Sequence, residues 1–212
     1  LSRLPNTGGM ADLATDFQQS NRTCSAPGLL PLMEQSRLLM TALNNSGQTR
    51  ILWTRDLNPR QELVSGKVVF GSLGPNFFVW HAAGTLYCTH PLTGTDLWTR
   101  RIGEIKNTIP GLQVAPSVFG DERVTAVYSV DQGLLQTYST RTGKSLLRKS
   151  VMPGLGTECR AVGRFLIFTD LNYQLHILDT ANGEDLLTDE APVYIGKMHL
   201  GRLVSVLPGN QL

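Results

Sequence analysis

The sequence predicts an all-β fold, a partial β-propeller of about four and a half four-stranded blades. Three observations carry this prediction: a segment that repeats along the chain, a turn glycine at a fixed place in each copy, and short apolar runs of strand length between turn residues. The chain has 212 residues, of which 41% are hydrophobic and 17% charged, and this composition is typical of a folded protein with a core.

The repeated segment is clearest in three copies. They read GTLYCTHPLTGTDLW at residues 84–98, GLLQTYSTRTGKSLL at 133–147 and YQLHILDTANGEDLL at 173–187. In each copy a strand-like run leads to a turn glycine, which adopts a positive φ without steric cost and so favours a hairpin. Two polar residues and then an apolar pair follow the glycine. The turn glycines are Gly94, Gly143 and Gly183.

A looser copy, SRLLMTALNNSGQTRILW, lies at residues 36–53 and has Gly47 at its turn. With this copy included, the turn glycines are spaced by 47, 49 and 40 residues. A period in the forties fits a four-stranded propeller blade. The best copy predicts four strands, at residues 113–118, 123–129, 133–139 and 144–150.

The segment 28–47 allows two interpretations. It contains good helix formers, and periodicity alone predicts a helix over Gln35–Leu43 that Asn45 to Gly47 would stop. Alignment with the repeat instead predicts two strands, and we favour the strands.

The ends of the chain differ from its middle. Residues 1–21 carry no repeat and are predicted to be a linker or the tail of a preceding region, whereas residues 22–212 are predicted to form the blades. At the C-terminal end, residues 201–206 parallel 163–168, so the last blade is incomplete. Half a blade leaves a sheet edge open, and we therefore expect further sequence or a partner to complete it.

The copy VAPSVFGDERVTAVYSVDQGLLQTYSTRTGKSLL and the segment GTLYCTHPLTGTDLW resemble the repeat of the quinoprotein alcohol dehydrogenase-like (PQQ-like) superfamily. The resemblance covers about residues 22–212 and implies a propeller of roughly 40-residue blades in which a tryptophan docks between adjacent blades. By position, Trp53 and Trp98 take this role. Leu147 and Leu187 replace the tryptophan in the other two copies, and we expect weaker docking there.

The superfamily includes calcium- and quinone-dependent dehydrogenases, an outer-membrane assembly scaffold lipoprotein and stress-sensor luminal domains, so the fold does not select a function. For a dehydrogenase, the resemblance implies a disulfide between adjacent cysteines beside a calcium ion held by Glu, Asn and Asp. The sequence has no adjacent cysteines, and no acidic cluster stands out as a calcium site. We therefore predict no catalytic, cofactor-binding or metal-binding residues and no cofactor.

Isolated cysteines and histidines give no further site. Cys24, Cys88 and Cys159 lie far apart without metal-ligand spacing. Each is predicted to be a small buried hydrophobe, and one disulfide between two of them is the alternative. His176 alternates with Leu175 and Ile177, which indicates a solvent-facing or packed histidine on a strand.

These observations predict a non-catalytic propeller that acts as a scaffold or protein-interaction module, with other proteins or further blades as partners. The loops Gly103–Leu112 and Met152–Thr157 are expected at the rim, where partners dock. A net charge of +2 without a basic run argues against nucleic acid, and no apolar run has the length of a membrane span. The alternative is a fragment of a quinone-dependent dehydrogenase, or another propeller enzyme, whose site lies in missing blades. The compartment stays open; the resemblance favours a periplasmic or extracytoplasmic one.

Overall fold

The computed structural model describes residues 26, 28–34, 36–44, 47–57, 68–105, 117–153, 159–172, 174–190, 194–199 and 202–206. The secondary structure of this described part consists of β-strands, with no helix. All the pairings between these strands are antiparallel. The strands form separate sheets that follow one another along the chain, as the repeat predicts.

Three sheets have four strands each, and in each the strands lie side by side in chain order. The first of these sheets comprises β4 (Val69–Leu73), β5 (Phe78–Ala82), β6 (Thr85–Thr89) and β7 (Asp96–Arg101). The second comprises β8 (Val118–Gly120), β9 (Val124–Ser129), β10 (Leu134–Ser139) and β11 (Ser145–Ser150). The third comprises β12 (Cys159–Val162), β13 (Phe165–Thr169), β14 (Gln174–Asp179) and β15 (Glu184–Glu190).

Two smaller sheets precede and follow these three. The leading sheet comprises β1 (Leu29–Glu34), β2 (Arg37–Leu43) and β3 (Thr49–Asp56), and the trailing sheet comprises β16 (Tyr194–His199) and β17 (Arg202–Val206). Strands β1 and β2 confirm the prediction of two strands, rather than a helix, within residues 28–47. From their place in the repeat, β1–β3 correspond to the last three strands of a complete sheet.

Apolar clusters fill the spaces between successive sheets. One cluster joins Leu38 and Met40 of the leading sheet to Phe78 and Trp80 of the next. The following two junctions are filled in the same way, by a cluster that includes Val79, Cys88, Val118 and Tyr138 and by one that includes Phe119, Leu135, Cys159 and Leu166. Middle strands such as β9 are therefore buried on both faces.

The first strands of the complete sheets contact each other, β4 with β8 and β8 with β12. Gly71 of β4 permits this approach, because a Cβ added there would lie 2.5 Å from Cγ1 of Val118. The last strands, β7 and β11, are mostly exposed. We call β3, β7, β11 and β15 the outer strands.

Each outer strand contains a β-bulge at the same place. In β3, β7 and β11 the extra residue is the first member of the predicted apolar pair: Leu52, Leu97 or Leu146. In β15 the register shifts between His176 and Leu178 of its partner strand. A bulge bends the strand and changes the direction of its side chains. The two consecutive apolar residues therefore need not follow the simple alternation of a regular strand.

The predicted strand limits agree with the structure for three strands of the best copy and differ for the first. That strand was predicted at 113–118 but reaches Gly120, and residues 113–116 lie outside the described residues. It extends further because the side chain of Asp121 makes the turn: its Oδ1 accepts the N–H groups of Arg123 at 2.8 Å and Val124 at 2.9 Å. Gly120 is thus still paired, with Thr125.

Candidate functional site

Trp53 of the leading sheet lies on the turn of the next sheet. Gly94 at that turn has a φ of +73°, and a Cβ added to it would lie 2.9 Å from ring atoms Cγ and Cδ2 of Trp53. The indole Nε1–H donates a hydrogen bond to the carbonyl oxygen of Pro91 at 2.7 Å. The structure therefore brings two of the repeat positions, Trp53 and Gly94, into direct contact.

Trp98 repeats this arrangement one sheet further on. A Cβ added at Gly143, whose φ is +66°, would lie 2.6 Å from Cδ2 of Trp98. The indole Nε1–H donates to the carbonyl oxygen of Thr140 at 2.7 Å. Pro91 and Thr140 each stand three residues before their turn glycine, so the two contacts are equivalent.

Leu147 takes the tryptophan's place at the third junction. A Cβ added at Gly183 would lie 2.9 Å from Cδ2 of Leu147. The leucine side chain has no hydrogen-bond donor, so Leu147 cannot make the bond that the indoles of Trp53 and Trp98 make. The side chain of Leu187, the fourth predicted position, lies outside the described residues.

A basic side chain two residues after each of these apolar residues binds the same turn. Arg55 Nη2 donates to the carbonyl oxygen of Gly94 at 3.0 Å, and it also pairs with Oδ1 of Asp96 at 2.8 Å. The equivalent bonds further along are Arg100 Nε to Gly143 O at 2.8 Å and Lys149 Nζ to Gly183 O at 2.7 Å. We call this unit, an apolar residue on a turn glycine plus a cation on its carbonyl, the inter-sheet latch.

Sequence reasoning missed the cations of the latch. The signal was present in Trp53-Thr54-Arg55, Trp98-Thr99-Arg100 and Leu147-Arg148-Lys149. Their register is also constant, because each latch cation lies opposite a buried leucine of its own sheet: Leu38 with Arg55, Leu86 with Arg100 and Leu135 with Lys149. In β15 the residue at this register position, opposite Leu175, is Asp189.

A charged cluster crosses the junction between the last two complete sheets. Arg164 makes a bidentate pair with Asp179, with Nε–Oδ1 and Nη2–Oδ2 distances of 2.8 Å, and its Nη1 lies 3.7 Å from Oδ2 of Asp121. Burial raises the pKa of Asp179, but the hydrogen bonds from Arg164 and the Ala181 amide and the charge of Arg164 outweigh it. The pKa therefore lies below its usual value, and the carboxylate is ionised at neutral pH.

His176 is packed, as one of the two sequence alternatives proposed. Its ring stacks on Phe168 with centroids 4.8 Å apart, Nδ1 lies 2.5 Å from Oδ2 of Asp185, and Nε2 lies 3.4 Å from Oδ2 of Asp170. A histidine held between two carboxylates is well oriented. Within the described part of the chain, no group of three or more His, Cys, Asp or Glu side chains is arranged to hold a metal ion.

The two described cysteines, Cys88 and Cys159, are buried, in agreement with the prediction, and they form no disulfide with each other; Cys24 lies outside the described residues. Burial, and secondarily the charge of Asp96, raises the pKa of Cys88 to about 12. The thiol is therefore protonated at neutral pH and is a poor nucleophile. Most of the two predicted rim loops, residues 106–112 and 154–157, also lies outside the described residues.

The fold defines the chain as a β-propeller protein. Among solved structures it is similar to apo AztD from Citrobacter koseri, with 13% sequence identity and a TM-score of 0.50 over 80% of this chain and 46% of that one. It also matches BamB from Moraxella catarrhalis, with 14% identity and a TM-score of 0.44 over 80% of this chain and 50% of that one. The chain thus spans about half the length of these structures.

No model of a protein family matches the chain, and no curated protein matches its sequence. Within the described residues, no helix has the length and apolar character needed to cross a membrane.

Proposed function

We propose that this chain is a non-catalytic segment of a β-propeller that serves as a scaffold and binds other proteins. The observation that carries the proposal is the outward presentation of leucine at one repeat position. Leu97, Leu146 and Leu186 stand three residues after their turn glycines and are 47%, 47% and 52% exposed. A single exposed leucine is ordinary, but the same exposed position in three successive sheets favours a surface for protein contact.

The use of polar groups supports the same proposal. The indole N–H groups of Trp53 and Trp98 and the three latch cations are engaged in contacts between sheets. These side chains contribute rigidity, and a rigid frame suits a role in presenting surfaces to partners. We further propose that residues 22–212 are one propeller segment of the quinoprotein-like repeat type and that residues 1–21 are a linker or the tail of a preceding region.

The proposal can be tested by crosslinking from the exposed leucine position. A photoreactive amino acid is placed at residue 146 of the full-length protein in its native cells, and a matched control is placed at Thr142, which is exposed in the turn of the same sheet. We expect defined protein adducts from position 146 and not from position 142. The absence of adducts, or the same adducts from both positions, would contradict a binding role for this surface.

A further inference from the structure

The hairpin of β10 and β11 carries an excess of positive charge. Residues 132–157 contain four cationic side chains and no carboxylate. One of the four, Lys149, is a latch cation. The other three are exposed and have no ion-pair partner among the described residues: Arg141, Lys144 and Arg148. We call β10, β11 and the turn between them the basic hairpin.

The basic hairpin lacks a carboxylate that both neighbouring complete sheets have. The last paired residue before the register shift of the outer strand is Asp96 in β7 and Asp185 in β15, but it is Ser145 in β11. In β7 this aspartate pairs with the latch cation Arg55 at 2.8 Å. Serine carries no charge, so Arg100, the latch cation at the turn of the basic hairpin, has no carboxylate partner among the described residues.

Arg100 and Arg148 lie near the same side chain, Tyr138 of β10. Burial raises the pKa of Tyr138, and the positive charges of Arg100 and Arg148 oppose this rise. Arg100 belongs to β7 and Arg148 to β11, so the positive charge extends across the junction between two sheets. Exposed cations that lack carboxylates within the described structure attract the carboxylates of a partner.

The outer edge of β11 offers unpaired backbone groups as well as charge. Strand β11 is the last strand of its sheet in the described structure and has β10 as its neighbour. The N–H of Val151 donates to the carbonyl oxygen of Gly133 at 2.8 Å, so the backbone of Val151 faces β10. Because this direction alternates along a strand, the N–H and C=O groups of Ser150 and Arg148 point away from β10. Such an edge can bind an extended segment as a further strand.

The charge of this edge selects its occupant. The same edge of a second copy would bring cations against cations, and like charges on adjacent strands destabilise their pairing. An acidic strand would instead be attracted. Leu146 is exposed between Lys144 and Arg148, so the edge also offers an apolar contact. A peptide segment with both acidic and apolar side chains uses all of these groups, whereas a simple polyanion uses the charges alone.

We propose that the outer edge of β11 binds an extended acidic segment of a partner protein as an added strand. The outward backbone groups of Arg148 and Ser150 pair with the segment, and the side chains of Arg148 and Arg100 bind its carboxylates. Leu146 contacts one of its apolar side chains. This inference rests on the interaction role proposed above and specifies the chemistry of the partner.

Crosslinking from position 146 of the full-length protein in its native cells tests this mode of binding when it is combined with two substitutions. Arg148→Glu reverses a charge, and Ser150→Pro removes an outward N–H while leaving the bonds to β10 in place. We expect each substitution to lower the yield of the protein adduct by at least about tenfold. The matched control, Arg50→Glu, reverses an exposed cation on the outer strand of the leading sheet and should leave the yield unchanged.

Mass mapping of the adduct identifies the bound segment, which should contain more carboxylates than cations. Thermal unfolding of the purified variants shows whether each is folded. If Ser150→Pro is not folded, Arg148→Glu and the mapped segment decide the result.

Several outcomes would overturn the inference and leave the interaction role standing. They are an undiminished protein adduct in either folded variant, a mapped segment without an excess of carboxylates, and an equal loss of yield with Arg50→Glu, which would indicate general electrostatic attraction. Adducts with lipid or nucleic acid in place of protein, or no adduct from the parent protein, would overturn the interaction role as well.

Discussion

Single residues decide how closely neighbouring sheets approach at the latches. A glycine at each turn serves two needs, a positive φ and space for the side chain of the preceding sheet. Both needs are met at Gly143, under Trp98. At Gly163, with a φ of +57°, only the first applies, because no described atom lies within 4 Å of an added Cβ.

This difference predicts unequal costs for the same substitution. Gly163→Ala should lower the free energy of unfolding by about 1–2 kcal/mol, the strain of a non-glycine residue at positive φ. Gly143→Ala should cost about 1–3 kcal/mol more, because the added Cβ forces Trp98 to move. Urea denaturation of both variants measures the difference, and equal losses would show that the contact with Trp98 contributes nothing.

A second prediction concerns Leu147. Replacing it with tryptophan should supply the missing indole donor for the carbonyl of Thr180, the equivalent of Pro91 and Thr140, and should stabilise the protein by about 1 kcal/mol. Leu146→Trp changes the exposed neighbour and is the matched control. A shift in the urea midpoint for residue 147 but not for 146 supports the latch; a loss at 147 would mean that this junction is too tight for an indole.

Sheets and turns could be predicted better than the contacts that join them. The roles of Gly94 and Trp98 could be predicted from the repeat. Glycine recurs where a turn needs a positive φ, and an apolar residue, most clearly tryptophan, recurs four residues after it in the best copies. Arg100 did not, because a basic residue on an exposed strand looks the same in sequence whether it meets water or a carbonyl 2.8 Å away. The bulge at Leu97 was hidden too, since an apolar pair does not indicate which residue is the extra one.

Ion pairs also join neighbouring elements, and the pair of Arg164 and Asp179 predicts that the free energy of unfolding depends on pH. Because the pKa of Asp179 is lowered in the folded protein, its contribution is complete above the unfolded value of about 3.9 and is lost as pH falls through the lower, folded value. Asp179→Asn should thus cost about 1–3 kcal/mol at pH 7, and the difference from the parent should shrink below about pH 4.

The control for this prediction is another ion pair of the same chain. Nε of Arg37 lies 2.8 Å from Oδ1 of Asp56, but the two side chains are 61% and 77% exposed. Asp56→Asn should therefore change the free energy of unfolding by less than about 1 kcal/mol at any pH. Thermal unfolding of both variants between about pH 3 and pH 7 provides the comparison. A parallel pH dependence in the two would show that Asp179 is not specifically stabilised.

At the scale of the whole molecule, the principal strand contacts between sheets of the described part (β4 with β8, β5 with β8 and β8 with β12) join neighbouring sheets. Each junction is therefore expected to open by itself. The buried thiols report on two different junctions: Cys88 lies in the cluster joined by the Trp98 latch, and Cys159 lies in the cluster joined by the Leu147 latch. Neither thiol should react in the closed protein, where both are buried.

Truncation of each latch should therefore expose one cysteine. Trp98→Ala should accelerate labelling of Cys88 by roughly 5- to 30-fold, as expected for a loss of one or two kcal/mol, and should leave Cys159 unchanged. Leu147→Ala should do the reverse. Peptide mass mapping after timed alkylation separates the sites, and equal acceleration at both cysteines would mean that the sheets open as one unit.

The latch also bears on how such a chain grows in evolution. In each complete sheet, one hairpin carries both the turn glycine that contacts the preceding sheet and the latch residues that contact the next sheet. One gene segment therefore encodes one side of each of two junctions. Duplicating or deleting that segment changes the number of sheets without altering any contact, provided that the latch cation and the turn are kept.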